Sequence, residues 1–226
     1  MFKLKNKVKY IKGTTLLEIM VVISIFVVIS GVTVFNYGQF NSSMSTQNLV
    51  DDIALSVRRA QSYAIGVRGV GEEFIGGYGV HFSTKSLVTG EEHKGSNKSF
   101  VVFAEMGTKN SRYDYGLYDG CGNPRNNDEC MEVLKILSTD EISAIRLFAA
   151  NDYPLATLTT NDSLDILFYR PNPEPVFCYQ APSTTSSCTY PSTIVYIEID
   201  VSNNMGGVLT TRTIKISNSG QISVAE

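Results

Sequence analysis

Histidine occurs only twice in the 226 residues, at His81 and His93, and neither accompanies a nucleophile-elbow glycine pattern. A serine or cysteine hydrolase needs a base within hydrogen-bond reach of its nucleophile, so hydrolysis finds little support here. The chain also lacks a P-loop, an H-E-x-x-H helix and a C-x2-C knuckle, which removes the phosphate-cradle, zincin and zinc-ribbon chemistries. His81 falls in an alternating apolar run and His93 in a charged loop, and each reads as structural or solvated. The chain is therefore read as a non-enzyme without a cofactor; a membrane-tethered enzyme is the least supported alternative.

Cysteine is absent from the first half of the chain. The four present, Cys121, Cys130, Cys178 and Cys188, form two close pairs, C-x8-C and C-x9-C. Two local disulfides in an oxidising compartment are favoured over free thiols or a metal site built from all four. Each would close a loop of about ten residues and contribute about 2–3 kcal/mol. Proximity favours Cys121–Cys130 and Cys178–Cys188 among the three connectivities that four cysteines allow.

No acidic residue precedes Glu18, whereas Lys3, Lys5, Lys7, Lys9 and Lys12 supply five of the 19 basic residues. Beyond them 14 basic residues face 22 acidic ones, so the body of the chain is net acidic. That balance argues against nucleic acid as a partner, because such binding rests on Lys and Arg neutralising phosphates.

Charge is missing altogether from Ile19 to Phe35, and Glu18 is the only charged residue between Thr14 and Val50. As a helix, Leu16 to Gly38 would span about 33 Å, enough to cross the hydrocarbon core of a bilayer. The lysines ahead of it predict a cytoplasmic N-terminus and an exported body, by the positive-inside rule. A cleaved secretory signal would have to use Ser30-Gly31 or Asn36 to Gly38, and neither is a good A-x-A site, so the apolar segment is expected to stay attached. Past the bilayer, Phe40, Met44, Val50, Ile53, Ala54, Val57, Ala60 and Ala64 recur mostly three and four apart, an amphipathic pattern that continues the same helix to about residue 65. Gly66 and Gly69 offer its stop.

The order of basic leader, Gly13 and "TTLLEIMVVISIFVV" resembles the class III signal of type IV pilins and type II secretion pseudopilins. The resemblance implies that a prepilin peptidase cuts between Gly13 and Thr14, leaves the apolar segment attached and methylates the new amine on Thr14. It also places Glu18 at the fifth mature position, where the carboxylate can meet its own amine or a neighbour's during filament assembly. An unpaired charge is costly in low dielectric and a well-placed partner strongly attractive. A glutamate that merely snorkels to the inner interface is the plainer reading of the same residue. Two departures stand out: Thr14 replaces the usual phenylalanine, and the anchor carries no proline, only Gly31 and Gly38.

Residues 1–13 thus read as a cleaved leader and 14–66 as an N-terminal helix, transmembrane over about 16–38 and amphipathic over about 39–66. Residues 67–226 read as an exported β-rich domain. Short alternating runs at 77–83, 99–105, 143–149, 163–169, 192–201 and 212–217 predict strands, and "SNSG" before Gln221 predicts a terminal hairpin. The fold class is α+β, a long helix packed on antiparallel sheet. A second likeness, to H-type minor pseudopilins, implies two sheets beside the helix. Five of the seven prolines lie in "PNPEPVFCYQAPSTTSSCTYP", which reads as a surface loop stapled by Cys178–Cys188. The segment from Asp114 through Asp119 to Asp128 and Glu129 could offer oxygen ligands to calcium, although it does not fit EF-hand spacing. A polar, disulfide-closed turn is the favoured alternative.

The function expected is that of a structural subunit in the inner membrane, single-pass, with its β domain periplasmic or extracellular. Its partners would be a prepilin peptidase, other pilin or pseudopilin subunits, an assembly platform and membrane lipid. A membrane-anchored exported binding domain that never polymerises is the alternative. A minor pilin for DNA uptake would want a basic patch near the tip, and Arg212 is the only arginine near the C-terminus.

Overall fold

A computed structural model describes residues 15–66, 69–70, 73–74, 77–106, 110–114, 121–122, 129–172, 174–180, 194–205 and 208–225. One α-helix, α1 (Leu16–Ile65), runs for 50 residues. Thr15 caps its start, with the Glu18 amide donating to Thr15 Oγ1 at 3.4 Å, which satisfies one of the orphan donors of the first turn. At the other end the Gly66 amide donates to Ser62 O at 2.8 Å. Between these ends the chain holds no proline, so nothing removes a helix hydrogen bond.

Twelve strands follow among the described residues. After a small hairpin of β1 (Gly69–Val70) and β2 (Glu73–Phe74) come β3 (Gly77–Ser83), β4 (Ser99–Glu105), β5 (Cys130–Lys135) and β6 (Glu141–Phe148). The remainder are β7 (Pro154–Leu158), β8 (Ser163–Tyr169), β9 (Pro175–Gln180), β10 (Tyr196–Met205), β11 (Val208–Ser217) and β12 (Ile222–Ala225). They pair as two antiparallel five-stranded sheets, ordered β5-β4-β3-β8-β9 and β12-β11-β10-β6-β7.

The helix lies against both sheets, so all three share one core. Val50, Ile53, Val57 and Ala60 on the helix, Val80, Phe82 and Ile166 on the first sheet, and Ile197, Ile199 and Ile214 on the second are fully buried in a single apolar cluster. The sheets differ on their outer faces. In β10, Ile197, Ile199 and Val201 point inward while Glu198 and Asp200 keep partial solvent contact, the alternation of a half-buried strand. In β3 and β4 every residue is buried, because Tyr113 and Cys130 form a second apolar cluster with Val101, Phe103 and Leu167 on the outer face. A Cβ at Gly79 would lie 2.6 Å from the Phe103 ring and 2.7 Å from Ile166 O, so only glycine lets that ring fold across the strand.

Several strands depart from the sequence expectation. The run expected over 143–149 begins at Glu141, and the runs expected over 192–201 and 212–217 appear as Tyr196–Met205 and Val208–Ser217. The proline-rich segment is not wholly a loop, since Pro175–Gln180 forms β9 against β8. The correction has a physical reason: β9 is an edge strand with Pro175 as its first residue, a place where a missing amide costs no ladder bond.

Candidate functional site

The first candidate feature is the N-terminal half of α1. From Leu16 to Val34 the helix is long and apolar enough to cross a membrane, and none of that span is buried. Leu16, Phe26 and Val34 are each 70% exposed or more. Glu18 stands in the first turn, its amide bonded to Thr15 and its side chain open to the surroundings. Gly13 and Thr14, the expected cleavage and methylation positions, lie outside the described residues.

The second feature locks the other half of the helix to the domain. Asp140, fully buried in the β5–β6 turn, accepts hydrogen bonds from Thr46 Oγ1 at 2.6 Å, Asn203 Nδ2 at 2.8 Å and Ser138 Oγ at 2.5 Å, and from the Ser45 hydroxyl. Burial alone would raise its pKa, but these four donors outweigh burial and hold the carboxyl below its ordinary range. Lys98 completes the turn from behind, donating to the carbonyls of Ser138, Thr139 and Asp140 at 3.4, 3.0 and 2.5 Å. At the far end of the domain Gln61 donates to Gly220 O at 3.4 Å, and Tyr63 meets Tyr78 edge to face at 5.7 Å.

A third group of polar residues lies on the outer face of the first sheet. His81 Nδ1 is 2.6 Å from Asp165 Oδ1, with both residues buried. A His–Asp pair is two-thirds of a hydrolytic triad. Here, however, the Nε2 edge is closed: a Cβ on Gly95, at φ +74°, would stand 2.8 Å from Nε2. Tyr113 packs on the same ring at 5.1 Å and donates its hydroxyl to His93 O at 2.8 Å. The pair therefore sits under loop backbone, and both histidines are buried, correcting the solvated alternative for His93.

Two glutamates organise the covering segment. Glu129 Oε1 and Oε2 accept the amides of Met106 and Asp114 at 2.7 and 2.9 Å, and Glu105 Oε1 accepts the Ser111 amide at 3.2 Å. Among the described residues Glu105 Oε2 has no hydrogen-bond partner, in a residue only 2% exposed. Desolvation pushes the Glu105 carboxyl up to about 7 and that of Glu129 up to about 8, against the lowering effect of the backbone donors.

Cys121 and Cys130 form a disulfide at the end of this segment, with Cα atoms 4.8 Å apart. Cys178 is buried in β9; Cys188, its expected partner, lies outside the described residues. So do the calcium candidates Asp119 and Asp128. Asp114 Oδ2 accepts from Asn110 Nδ2 at 2.7 Å, and among the described residues no three His, Cys, Asp or Glu side chains are grouped to hold a metal.

Sequence reasoning missed Asp140, Glu105 and the His81–Asp165 pair, and it read Glu129 as a calcium candidate, not as the acceptor of the Met106 and Asp114 amides. Three of the four Asp140 donors lie 63 to 95 residues away and Asp165 lies 84 from His81, beyond any local pattern. Comparison with protein-family models, with curated proteins and with solved structures finds no match to this chain.

Proposed function

We propose that the chain is a pilin-like structural subunit, in the manner of a minor pseudopilin, processed by a prepilin peptidase and assembled into a type II secretion pseudopilus or a type IV pilus. The observation that carries the reading is α1 itself. One unbroken helix of 50 residues begins as exposed apolar surface and ends as part of a β domain's core. Such a helix gives a subunit both a membrane anchor before assembly and a packing face afterwards. The leader, Gly13 and Glu18 supply the sequence half of the argument. In this reading the N-terminus is cytoplasmic, the β domain is exported to an oxidising space, and an assembly platform in the inner membrane acts on the helix.

Hydrolytic catalysis gains no support from the His81–Asp165 pair, since its free ring edge is closed by Gly95. DNA uptake gains none from the net-acidic body.

Co-expression with a prepilin peptidase tests the reading. The wild-type chain should lose the mass of residues 1–13, and Gly13→Ala should block that loss. A mature mass unchanged by Gly13→Ala would favour the non-polymerising anchored domain. Glu18→Leu should insert normally but enter filaments poorly; normal incorporation would remove the assembly role given to Glu18.

A further inference from the structure

The helix direction fixes which end of the β domain faces the bilayer. Thr46, nearer the apolar span, touches the β5–β6 turn through Asp140 and through it the end of β10 at Asn203. Gln61, farther from the span, touches the β11–β12 turn at Gly220. The membrane-proximal rim is therefore made of the β5–β6 turn and the β10–β11 hairpin. The β3–β4 connection joins them, because the Asn97 amide donates to Lys85 O and Asn97 O accepts the amide of Ile142.

Among its polar residues this rim presents several exposed aliphatic side chains. Leu137 is 93% exposed and Leu209, opposite Asn204 in the hairpin, is 68% exposed. Leu87 and Val88 in the β3–β4 connection are 42% and 48% exposed. Nor is the Leu137 turn loosely held. Buried Ile136 precedes it, and the Lys98 ammonium and the Asp140 carboxylate tie the three residues after it. A turn so firmly fixed presents its leucine in one place.

The spacing along α1 brings that place to the lipid headgroups. With Glu18 at the inner interface, about 20 residues cross a hydrocarbon core of about 30 Å, which ends at Gly38. Tyr37 and Phe40, 70% and 66% exposed, then occupy the outer interface, where aromatic side chains concentrate. Ser45, which donates to Asp140, stands about 10 Å above the boundary. The headgroup zone takes up roughly half of that height. An extended leucine covers most of the rest, and a tilt of about 20°, ordinary for a single span, lowers one side of the rim further.

We infer that the Leu137 turn and the Leu209 hairpin seat the β domain on the outer surface of the same bilayer that holds its helix, making a second lipid contact beside the anchor. The inference rests on the membrane-spanning reading of residues 16–38. Two points of attachment restrict how far the domain can swing before it leaves the membrane.

The chain contains no tryptophan, so each substitution creates a single tryptophan that can be excited selectively beside the tyrosines. The full-length protein in phosphatidylcholine vesicles would carry Leu137→Trp, Leu209→Trp, Phe26→Trp in the span, or Tyr153→Trp, an exposed position at the opposite end of the domain. Quenching is read with lipids spin-labelled near the headgroup and, separately, at mid-chain. Leu137→Trp and Leu209→Trp should be quenched at least twofold more by the shallow label than by the deep one, and Tyr153→Trp by neither. Phe26→Trp quenched by the deep label while Leu137→Trp and Leu209→Trp respond to neither would overturn this inference and leave the span intact. Blue-shifted emission from Leu137→Trp, dependent on protein concentration and unresponsive to labelled lipid, would assign the rim to a second copy of the chain and overturn it too. An unquenched Phe26→Trp would instead remove the membrane span on which it stands.

Discussion

Residues 16–34 and 49–64 belong to one helix, yet their side chains answer opposite surroundings. In the first, Leu, Ile, Val and Phe are exposed on every side. In the second, Val50, Ile53, Val57 and Ala60 form a buried stripe while Asp51, Asp52 and Arg58 stay outside. Size differs as well: Ala54, Ala60 and Ala64 let the sheets approach the helix axis closely. The difference teaches that the count of apolar residues says little about a helix's environment. Their distribution around the axis decides it, because a bilayer solvates all faces and a sheet only one.

The strongest way to break the comparison is to place the same charge in each half. Ile53→Asp, at a fully buried position, should destabilise the domain by about 4 kcal/mol or more, read as loss of cooperative urea unfolding in detergent. Val27→Asp, at a position 61% exposed, should leave that transition within about 0.5 kcal/mol. It should instead impair insertion by about 3 kcal/mol, read by membrane flotation.

The junction between the halves comes next. Asp140→Ala removes the acceptor of the buried Asn203 amide and leaves the Thr46 hydroxyl only Ser42 O, and should cost about 3 kcal/mol of unfolding free energy. Its pH dependence has a definite sign. The folded pKa lies below the unfolded one, so the contribution is complete above the unfolded pKa of about 4 and is lost as pH falls through the folded value. Wild type and Asp140→Ala should therefore converge in stability in acid.

The glutamates on the outer face should behave in the reverse sense. The folded pKa of Glu105 is raised to about 7, so its cost to stability is absent below about pH 4.5 and grows as pH rises to its folded value. Glu105→Gln keeps the acceptor for Ser111 and removes the titration. It should flatten the decline in stability between about pH 4.5 and 7, with a gain on the order of 2 kcal/mol at pH 8. A decline unchanged by the substitution would mean that Glu105 ionises freely.

The smallest effect is expected on the outward face of the helix. Arg59 and Glu132 meet at 2.5 Å with side chains 33% and 49% exposed, and a double-mutant cycle should return about 0.5 kcal/mol. A coupling several times larger would mean that this face of the helix is closer to core than its exposure implies.

The α+β class and the extent of the helix were legible in sequence because each rests on local physics: hydrophobic periodicity and a glycine stop at Gly66, whereas the cap at Thr15 emerged only in the structure. So was the terminal hairpin, whose turn runs from Ser217 to Gln221. β5, β7 and β9 were not legible. Cys130–Lys135 mixes apolar and charged residues without clean alternation, and Pro154 and Pro175 each open a strand at a sheet edge, where proline reads as a loop signal. The clamp at Asp140 could not be read either. An aspartate between Thr139 and Glu141 is an ordinary turn residue until the fold brings Ser45, Thr46 and Asn203 to it.

The clamp has one mechanical consequence. Asp140 grips the helix at Ser45 and Thr46, Gln61 is held at Gly220, and no proline breaks the helix between Leu16 and that grip. The helix is therefore a drive shaft. Turning its exposed apolar end by one residue, about 100°, would carry the clamped β domain round with it.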